Sequence, residues 1–372
     1  MTSTSEPPVI TGLDLPAGSP GGSVELLHDL YIGPSAPLAA QVFMLARAGD
    51  TATRSGELAL LTAPGKCAEG PQFWQYVAGL TCALSAAFIP PGDAVAHLQH
   101  LTFGASPALI GAFPRLRRIA LVHGTDLLAA ETSQTQLHVL HRVIAAASAI
   151  VVPTTAMADR LRRLAPHLPA SRLTHIPWGI PDQLLAAVPS RRPGPGGSLR
   201  LLYAGRFTAE KGAAELITTC SAIGGIQLSI AAPEDQRAAV QPALSTAPGL
   251  AGLSLCWLGW LPRPRLWEAF ADHDLLVVPS TTLEAFGLVA VEAQACGLPV
   301  LYQPVPGLTE VLAASAATAD FTSAGELTAV LRWLSADPAA LAHLRAAGLA
   351  NAARFPLSRT AAQLAGLTSS IA

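Results

Sequence analysis

Charged side chains are scarce in this chain of 372 residues, and lysine is especially rare. Only 13% of the residues are charged, 51% are hydrophobic and the formal net charge is −2. The two lysines are Lys66 and Lys211. Without a basic field, the chain is not expected to bind nucleic acid. A carboxylate or cation in an apolar segment is costly unless it is paired, so each one calls for an explanation.

Cysteine spacing and apolar runs exclude further classes of protein. The five cysteines are odd in number and have no CxxC spacing, so we predict buried, reduced thiols rather than disulfides or a metal site. The start, MTSTSEPPVITGLDLP, lacks the basic and apolar stretches of a signal peptide, which favours a cytoplasmic protein. The apolar run YVAGLTCALSAAFIP is shorter than the ~20 residues that span a bilayer, so we predict a buried helix there.

Short β-rich runs alternate with helical stretches along most of the chain. Nearly continuous apolar runs are typical of strands buried on both faces. The strand then helix order predicts parallel sheets covered by helices, an α/β fold of two doubly wound, Rossmann-like domains. The predicted strands are RIALVHG, AIVVPT, LRLLYAG, IQLSIAA, LSLCWLG, DLLVVPS and LPVLYQP. The predicted helices are HVLHRVIAAAS, AMADRLRRLA, EKGAAELITTCSAI and PRLWEAFADH.

One segment rich in proline and glycine, PSRRPGPGGS at 189–198, interrupts this alternation and is predicted to be a linker. We expect a first domain at 1–188 and a second at 199–355. A final helix at 356–372 is expected to pack back toward the first domain. Two such domains facing each other create a cleft, and ligands bind where parallel strands end.

Polar motifs follow several of the predicted strands. LLYAGRFTAEKG places Gly205 and Arg206 at the end of one strand, with Lys211 at the start of the next helix. DLLVVPSTTLEAFG places Glu284 in the loop after another strand. Glu292 is expected about two turns inside the helix that follows, which we expect to begin near Phe286.

Two motifs of the first half have the same placement. LVHGTD ends a strand with His123, followed by Asp126. LPAGSPGGSVELL supplies the glycine-rich turn Gly21-Gly22 ahead of a helix.

Together these motifs resemble retaining, nucleotide-sugar-dependent glycosyltransferases of the GT-B fold, glycosyltransferase family four (glycosyl transferases group one). The resemblance is strongest over 199–310, where GR-x4-KG and E-x-FG-x4-E occur in the family's order after strands. PGLTE resembles the family's GG-x-x-E turn and supplies Gly307 and Glu310. The matches GGSVELL, LVHGTD, AIVVPTTAMADRL and THIPWGI of the first half are looser. The resemblance implies transfer of a sugar from a nucleoside diphosphate, with the acceptor on the first domain.

The resemblance also assigns site residues. It implies that His123, Arg206, Lys211 and Glu284 are catalytic. The implied donor-binding residues are Gly22, Gly205, Arg206, Lys211, Trp260, Leu261, Glu284, Phe286, Gly287, Leu288 and Glu292. No metal or cofactor is expected beyond the nucleoside-diphosphate sugar itself.

Each assignment has a physical reason. The leaving diphosphate needs cations, which Arg206 supplies as a planar fork and Lys211 as a point charge. The two oxygens of Glu292 can accept both ribose hydroxyls, and Glu284 can contact the donor sugar. Free N–H groups of Phe286, Gly287 and Leu288 at a helix start can approach the phosphates or the sugar. The backbone near Trp260 and Leu261 is expected to recognise the base.

Several alternatives remain open. The acceptor is expected to be a small molecule of natural-product (antibiotic) or small-thiol biosynthesis, or alternatively a lipid-linked or cell-surface polysaccharide. A non-catalytic, two-lobed sugar or nucleotide-binding protein is the alternative of another class. Trp257 and Trp260 could instead be core residues. We expect a monomer or homodimer, with no membrane association. Asp272 and Asp274 precede a strand and are not expected to bind metal.

Overall fold

The computed structural model of the chain forms two compact units. It describes residues 7–33, 35–47, 49–50, 54–55, 57–192, 199–223, 225–241, 253–282 and 284–372. Unit 1 comprises Met1–Pro177 with Leu357–Ala372, and unit 2 comprises Trp178–Pro356. Unit 2 thus begins before the end at 188 that the sequence suggested for the first domain. Residues 193–198 of the expected linker lie outside the described residues.

Unit 1 contains a sheet that is eight-stranded in the described residues. Its strands are β1 Val9–Pro16, β2 Ala40–Leu45, β3 Arg54–Ser55, β4 Leu58–Leu61, β5 Val95–Leu98, β6 Arg117–Leu121, β7 Ala149–Val152 and β8 Leu173–His175. The spatial order is β3-β4-β2-β1-β5-β6-β7-β8. All neighbours are parallel except β3 and β4. The order reverses between β1 and β5, which makes this the switch point of the sheet, where ligands of such folds bind.

The described helices of unit 1 connect these strands along the chain, and one further helix comes from the C-terminus. They are α1 Gly22–Tyr31, α2 Gly70–Ala87, α3 Ala105–Ala112, α4 Thr125–Thr132, α5 Gln134–Ala146, α6 Thr155–Leu164 and, from the C-terminus, α14 Leu357–Ile371. The prediction of a buried helix at α2 is only half right. Phe73, Tyr76 and Leu80 are buried, whereas Ala78 and Cys82 on the other face are exposed. Small side chains make that exposed face apolar without making it core. No described helix has the length and apolarity to cross a bilayer.

Helix α14 is held to unit 1 by a buried histidine of β5. The His97 ring contacts the Tyr31 hydroxyl through Nδ1 (2.8 Å) and the Thr368 hydroxyl through Nε2 (2.9 Å). Thr368 donates its own proton to the Leu364 carbonyl, so Nε2 carries the ring hydrogen and Tyr31 donates to Nδ1. Burial lowers the pKa of His97 to about 3, which keeps the ring neutral.

Unit 2 contains a parallel sheet that is six-stranded in the described residues. Its strands are β9 Arg200–Ala204, β10 Ile226–Ala231, β11 Leu253–Trp257, β12 Leu275–Val278, β13 Val300–Tyr302 and β14 Ala317–Thr318. The order β11-β10-β9-β12-β13-β14 reverses between β9 and β12, as in dinucleotide-binding folds. Its described helices are α7 Asp182–Ala186, α8 Ala213–Ser221, α9 Arg263–Asp272, α10 Leu288–Ala295, α11 Pro306–Leu312, α12 Ala324–Ala336 and α13 Pro338–Ala352.

The cysteines only partly follow the sequence prediction. All five thiols are free, but only two are buried. Cys220 lies within α8 and Cys296 directly follows α10, and burial raises the pKa of each thiol to about 12. Cys82 and Cys256 are exposed because they lie on the outer face of a helix and of the described end strand of the unit 2 sheet. The prediction of buried thiols is therefore wrong for those two.

Candidate functional site

Arg206, Lys211 and Glu284 lie on the loops that follow β9 and β12, the two strands at the switch point of unit 2. These loops pack directly on each other. Gly212 has φ +67, and a Cβ there would lie 2.1 Å from the Pro279 carbonyl oxygen. The Thr281 N–H also donates to the Glu210 carbonyl (3.1 Å). The glycine of the KG pair is therefore required by close backbone packing as well as by its left-handed φ.

Lys211 and Glu284, which the sequence placed on different motifs, are in direct contact. Lys211 Nζ donates to Glu284 Oε2 at 2.5 Å, and the Ser280 hydroxyl donates to the same oxygen at 3.1 Å. Arg206 lies on the Lys211 loop and forms an ion pair with Glu210 (3.4 Å). All of these charged side chains are only partly exposed. The loops thus collect two cations and two carboxylates at the carboxyl end of the sheet.

A tyrosine of β9 stabilises the GR turn that follows this strand. The Tyr203 hydroxyl donates to the Arg206 carbonyl oxygen at 2.5 Å. Burial, followed by the charge of Glu284, raises the pKa of Tyr203, so the phenol remains a donor. Gly205 is partly exposed between these two residues. Sequence reasoning missed Tyr203, although its place two residues before the GR glycine is a usable signal.

The helix that follows Glu284 begins at Leu288, two residues later than expected. Gly287 is its N-cap residue and has φ +80, and a Cβ there would lie 2.5 Å from Leu308 Cδ2. The left-handed conformation delays the start of the helix. Phe286 is buried with its ring edge-on to Phe355 (5.2 Å between centroids), so its side chain is core. A Cβ at Gly307 would lie 1.8 Å from the Glu284 carbonyl oxygen, so α11 packs on the Glu284 backbone.

Glu292 lies about one turn inside α10, instead of the two turns expected, because the helix starts later. Its carboxylate is 5% exposed. Arg263 Nη2 donates to Oε1 at 2.6 Å and Trp267 Nε1 donates to Oε2 at 3.0 Å. Both donors lie on α9 at i, i+4 spacing, which places them on one face of the helix. Sequence reasoning missed them, but an arginine and a tryptophan so spaced were a readable signal.

Trp260 and Leu261 lie between β11 and α9, and both are partly exposed. Trp257 at the end of β11 is also partly exposed, and its Nε1 donates to Glu234 Oε2 at 2.8 Å. Its ring lies 6.2 Å from the buried ring of Phe207. Trp257 therefore packs at the margin of the unit 2 core, and neither tryptophan is fully buried.

His123 follows β6 in unit 1, and its backbone is fixed by Asp126. The fully buried Asp126 carboxylate accepts from the N–H groups of His123 (3.2 Å), Gly124 (2.7 Å) and Leu101 (3.1 Å). Burial raises the pKa of Asp126 to about 6, against the lowering effect of these bonds. Both of its oxygens are occupied by backbone, so Asp126 braces a loop and does not present a nucleophile.

The His123 ring is neutral and its orientation is set by neighbours. Thr11 donates its proton to the His97 carbonyl and accepts from Gln99 Nε2 (2.8 Å), so Gln99 Oε1 faces His123 Nε2 (3.2 Å). His123 Nε2 therefore carries the hydrogen. Burial lowers the pKa of His123 to about 3. The ring is a neutral hydrogen-bonding group, not a cation, at neutral pH.

At the switch point of unit 1, His123 belongs to a group of polar and aromatic side chains whose other members were missed from the sequence. We name it the unit 1 cluster, and it comprises Asp14, Lys66, Tyr76, His100, Phe103 and His123. Asp14 Oδ2 accepts from the Tyr76 hydroxyl (3.3 Å), and Lys66 Nζ lies 3.7 Å from the same oxygen. His100 joins the group through ring contacts with Phe103 and His123, at centroid distances of 5.2 and 4.8 Å. Its members come from five separate segments, so no local motif marks them.

Comparison with known proteins gives the family. The profile of the family Glycosyl transferases group 1 matches residues 190–350. D-inositol 3-phosphate glycosyltransferase 1 of Catenulispora acidiphila is 30% identical to the chain over 312 residues, which is 74% of this chain and 72% of that protein. This chain belongs to the group 1 glycosyltransferases. The prediction of an enzyme of this family is confirmed.

Solved structures show the same fold for this group 1 glycosyltransferase. Sucrose-phosphate synthase from Thermosynechococcus elongatus has a TM-score of 0.76 and 19% identity, covering 97% of this chain and 98% of its own. HepE of Anabaena in complex with UDP and glucose also has a TM-score of 0.76 and 19% identity, covering 98% and 99%. The predicted GT-B fold with two Rossmann-like α/β units is confirmed.

In this glycosyltransferase the glycines ahead of α1 form an open turn. Gly21 is the N-cap residue of the helix, with φ +146, and a Cβ there would meet nothing within 4 Å. Gly22 is the first helical residue and is exposed. The turn leaves open space beside the N-terminus of α1.

Asp272 and Asp274 form ion pairs with arginines at the amino end of β12, the end of the unit 2 sheet opposite to the Lys211 and Glu284 loops. Asp274 accepts from Arg200 Nε and Nη2 (both 3.1 Å) and from Arg191, while Asp272 lies 3.3 Å from Arg192. Burial alone would raise the pKa of Asp274, but the hydrogen bonds and charges of these arginines lower it. The carboxylates tie the segment before β9 to the sheet. Among the described residues, no group of three or more His, Cys, Asp or Glu side chains is placed to share a metal ion.

Proposed function

We propose that this enzyme transfers a glycosyl group from a UDP- or GDP-linked sugar to a small-molecule acceptor, with retention of the anomeric configuration and without a metal ion. One observation carries the proposal. Arg206, Lys211 and Glu284 converge at the switch point between β9 and β12 of unit 2. The similarity to a protein solved with UDP and glucose supports a nucleotide sugar as donor.

The two cations act on the leaving group. Departure of the nucleoside diphosphate leaves new negative charge on its terminal phosphate, and preorganised cations stabilise that charge in the transition state. Arg206 provides the planar fork and Lys211 the compact charge. Lys211 is held at Glu284 Oε2, so the ammonium is already oriented at the loop. The Lys211 ammonium donates one of its N–H groups to the diphosphate while another stays bonded to Glu284 Oε2. The other oxygen of Glu284 is then available to hydroxyls of the donor sugar.

Glu292 takes the ribose hydroxyls in this proposal. Arg263 and Trp267 occupy one lone pair on each of its oxygens, and each oxygen has a second lone pair. The two α9 donors thereby fix the orientation of the carboxylate. The free N–H groups at the start of α10, beginning at Leu288 after the Gly287 N-cap, are the further donors offered to the phosphates or sugar. Trp260 and Leu261 contribute the backbone that contacts the base.

Retention follows from attack on the face that the diphosphate leaves, with a phosphate oxygen accepting the acceptor's proton. The Asp126 carboxylate of unit 1 has both oxygens occupied by backbone N–H groups and does not present a nucleophile. His123 is neutral and suited to hydrogen-bond a sugar hydroxyl. Arg206 and Lys211 supply the positive charge that a divalent ion supplies in other enzymes, and Gly22 brings a helix N-terminus to the substrates.

A small acceptor is supported by the relative of this chain that is named for D-inositol 3-phosphate. We place the reaction in natural-product, antibiotic or small-thiol biosynthesis in the cytoplasm. The acceptor is held by unit 1, whose switch point carries the unit 1 cluster.

The experiment is a thermal shift with UDP, GDP and ADP, followed by a screen of donors against acceptors read by mass spectrometry. One of the three nucleotides is expected to raise Tm, because a ligand that binds only the folded state stabilises it. The shift should be largely lost in Lys211→Met and kept in Arg265→Met, a variant of an exposed arginine paired with Glu268. The absence of stabilisation by any nucleotide would contradict the proposal.

A further inference from the structure

The loop after β5, residues 99–104, has its backbone held by buried side chains from three other elements. The bonds run from Leu101 N–H to Asp126 (3.1 Å), from Phe103 N–H to Gln136 (2.8 Å) and from Gly104 N–H to Asp14 (3.0 Å). Phe103 has φ +64, a left-handed conformation that a bulky residue rarely adopts. Strain of this kind persists where the surrounding structure enforces it, often at ligand sites. The loop carries His100 and Phe103 of the unit 1 cluster at a fixed position.

Lys66 is the cation of the unit 1 cluster, and a buried carboxylate already balances it. Lys66 Nζ donates to the Asp14 carbonyl oxygen and lies 3.7 Å from Asp14 Oδ2. The Lys66 side chain is 42% exposed, whereas that of Asp14 is only 5% exposed. Asp14 also accepts from Tyr76 and Gly104, so its carboxylate cannot turn away without breaking both bonds. In this arrangement the Lys66 ammonium lies beside the fixed negative charge of Asp14.

The other titratable members add no positive charge. Burial lowers the pKa of His100 well below its usual range, and electrostatic interactions with His123 and Lys66 oppose its protonation further. Burial likewise lowers the pKa of His123. Burial, then the charge and hydrogen bond of Asp14, raises the pKa of Tyr76. With Lys66 and Asp14 compensating each other, the cluster carries no net charge near pH 7, and the neighbouring Asp126 contributes only negative charge.

We infer that the unit 1 cluster binds the acceptor and that the acceptor group it takes is an uncharged polyhydroxy compound, with Asp14 as the specificity-determining residue. The inference rests on the proposed function. Hydroxyl groups both donate and accept, which matches two neutral imidazoles and a charge-balanced lysine. A phosphate on Lys66 would bring its charge within about 7 Å of Asp14, where repulsion opposes binding. The acceptor thus differs in charge from the one named for the Catenulispora relative.

The test measures binding of inorganic phosphate to protein saturated with the nucleotide that stabilises it, so that the donor site is filled. Titration calorimetry compares the wild type with Asp14→Asn, Lys66→Met and the double variant. Asparagine preserves an oxygen for the Tyr76 and Gly104 donors while removing the charge. Asp50→Asn, which alters an exposed carboxylate bonded to Arg47 N–H, is the matched control.

We expect Asp14→Asn to bind phosphate at least tenfold more tightly than the wild type and the Asp50→Asn control, and the double variant to lose that gain. Lys66→Met should leave the weak phosphate binding of the wild type unchanged. Wild-type phosphate binding that Lys66→Met abolishes would overturn the inference, and this comparison holds even where Asp14→Asn fails to fold. Failure of the proposed function itself is separate, because it appears as the lack of any stabilising nucleotide before phosphate is added.

Discussion

Lys211 is the residue on which the proposed donor site depends most directly. Its ammonium is partly exposed and bonds to Glu284 Oε2 at 2.5 Å. Lys211→Met keeps the length of the side chain and removes the charge. We expect kcat/KM to fall by about 10²–10³, the scale of losing one transition-state donor. Stability should change by only ~1 kcal/mol, because a partly exposed ion pair contributes little.

Steady-state kinetics with the identified donor, beside urea unfolding, check this expectation. The control is Arg265→Met, which removes an exposed cation of the same unit. A kcat/KM of Lys211→Met within threefold of the wild type would contradict a role of Lys211 in the reaction.

Trp267 allows a finer test of Glu292. Trp267→Phe keeps an aromatic ring on α9 and deletes the N–H that donates to Glu292 Oε2 at 3.0 Å. We expect the nucleotide Kd to rise about fivefold, equivalent to ~1 kcal/mol for the loss of one hydrogen bond that positions the Glu292 carboxylate. The matched control is Trp333→Phe, at an exposed tryptophan of the same unit. Calorimetry that gives equal nucleotide Kd values for both variants would show that Glu292 does not bind the nucleotide.

At the scale of elements, the loops after β9 and β12 form one packed unit through Gly212. Gly212→Ala places a Cβ on a residue with a left-handed φ and in collision with Pro279. Gly225 has a similar φ, +68, but an added Cβ would meet nothing within 4 Å, so Gly225→Ala introduces the backbone strain alone. We expect Gly225→Ala to lose about 1 kcal/mol with kcat/KM unchanged. Gly212→Ala should be less stable still and should lose most activity, because the loops must separate. Equal activity of the two variants would mean that the loop contact is not needed.

The attachment of α14 to unit 1 predicts a pH dependence of stability. His97 has a pKa of about 3 in the folded chain, below that of an unfolded histidine. The unfolded state therefore binds the proton first, and stability is lost as pH falls below about 6.5. Between pH 7 and pH 5 the loss from His97 should be about 2 kcal/mol.

Urea unfolding of the wild type and His97→Gln at both pH values measures this term. His123 has a lowered pKa of the same sign, so the wild type should lose more than the His97 term alone. The variant is expected to be less stable at pH 7 and to show the smaller pH dependence. An identical pH dependence would show that His97 does not titrate on unfolding.

The sequence predicted the elements that carry local patterns and missed those that do not. All seven predicted strand segments contain strands. The strands β7, β12 and β13 are buried at every position, as continuous apolar runs predict, whereas β11 has no buried residue. The strand β1 was missed because Thr11, Gly12 and Asp14 interrupt its pattern, although Thr11 and Asp14 are themselves buried. Thr11 and Asp14 form hydrogen bonds to β5 and to the 99–104 loop, so hydrogen bonding and not apolar packing accounts for these two polar residues.

The same contrast holds for the sites. GR-x4-KG and E-x-FG-x4-E are contiguous motifs, so the sequence alone could predict that Lys211 and Glu284 share one site, and the structure brings the two side chains into contact. The start of α10 at Leu288 could not be predicted, because it depends on the left-handed Gly287 packed against Leu308. The Asp14–Lys66 pair joins residues 52 positions apart, which only the tertiary fold brings together.

At the scale of the whole molecule, each of the two lysines lies beside a carboxylate at the switch point of one sheet. Lys66 contacts Asp14 on β1 at the switch point of unit 1, and Lys211 contacts Glu284 at the switch point of unit 2. In a chain with 13% charged residues, both lysines thus lie where α/β sheets bind ligands. One is balanced by a buried aspartate that is fixed by other bonds, and the other by a glutamate on a loop. We expect the first to favour uncharged acceptors and the second to serve a diphosphate.

The central claim is that Arg206 and Lys211 hold the diphosphate of the donor, and calorimetry of nucleoside against nucleoside diphosphate tests it most directly. In the wild type, the diphosphate is expected to bind about 10²-fold or more tightly than its nucleoside, because charged hydrogen bonds each contribute about 1.5–3 kcal/mol. In the double variant Arg206→Ala with Lys211→Met, we expect that advantage to fall to less than about tenfold, with nucleoside affinity unchanged. A double variant that keeps the full advantage of the diphosphate would contradict the account.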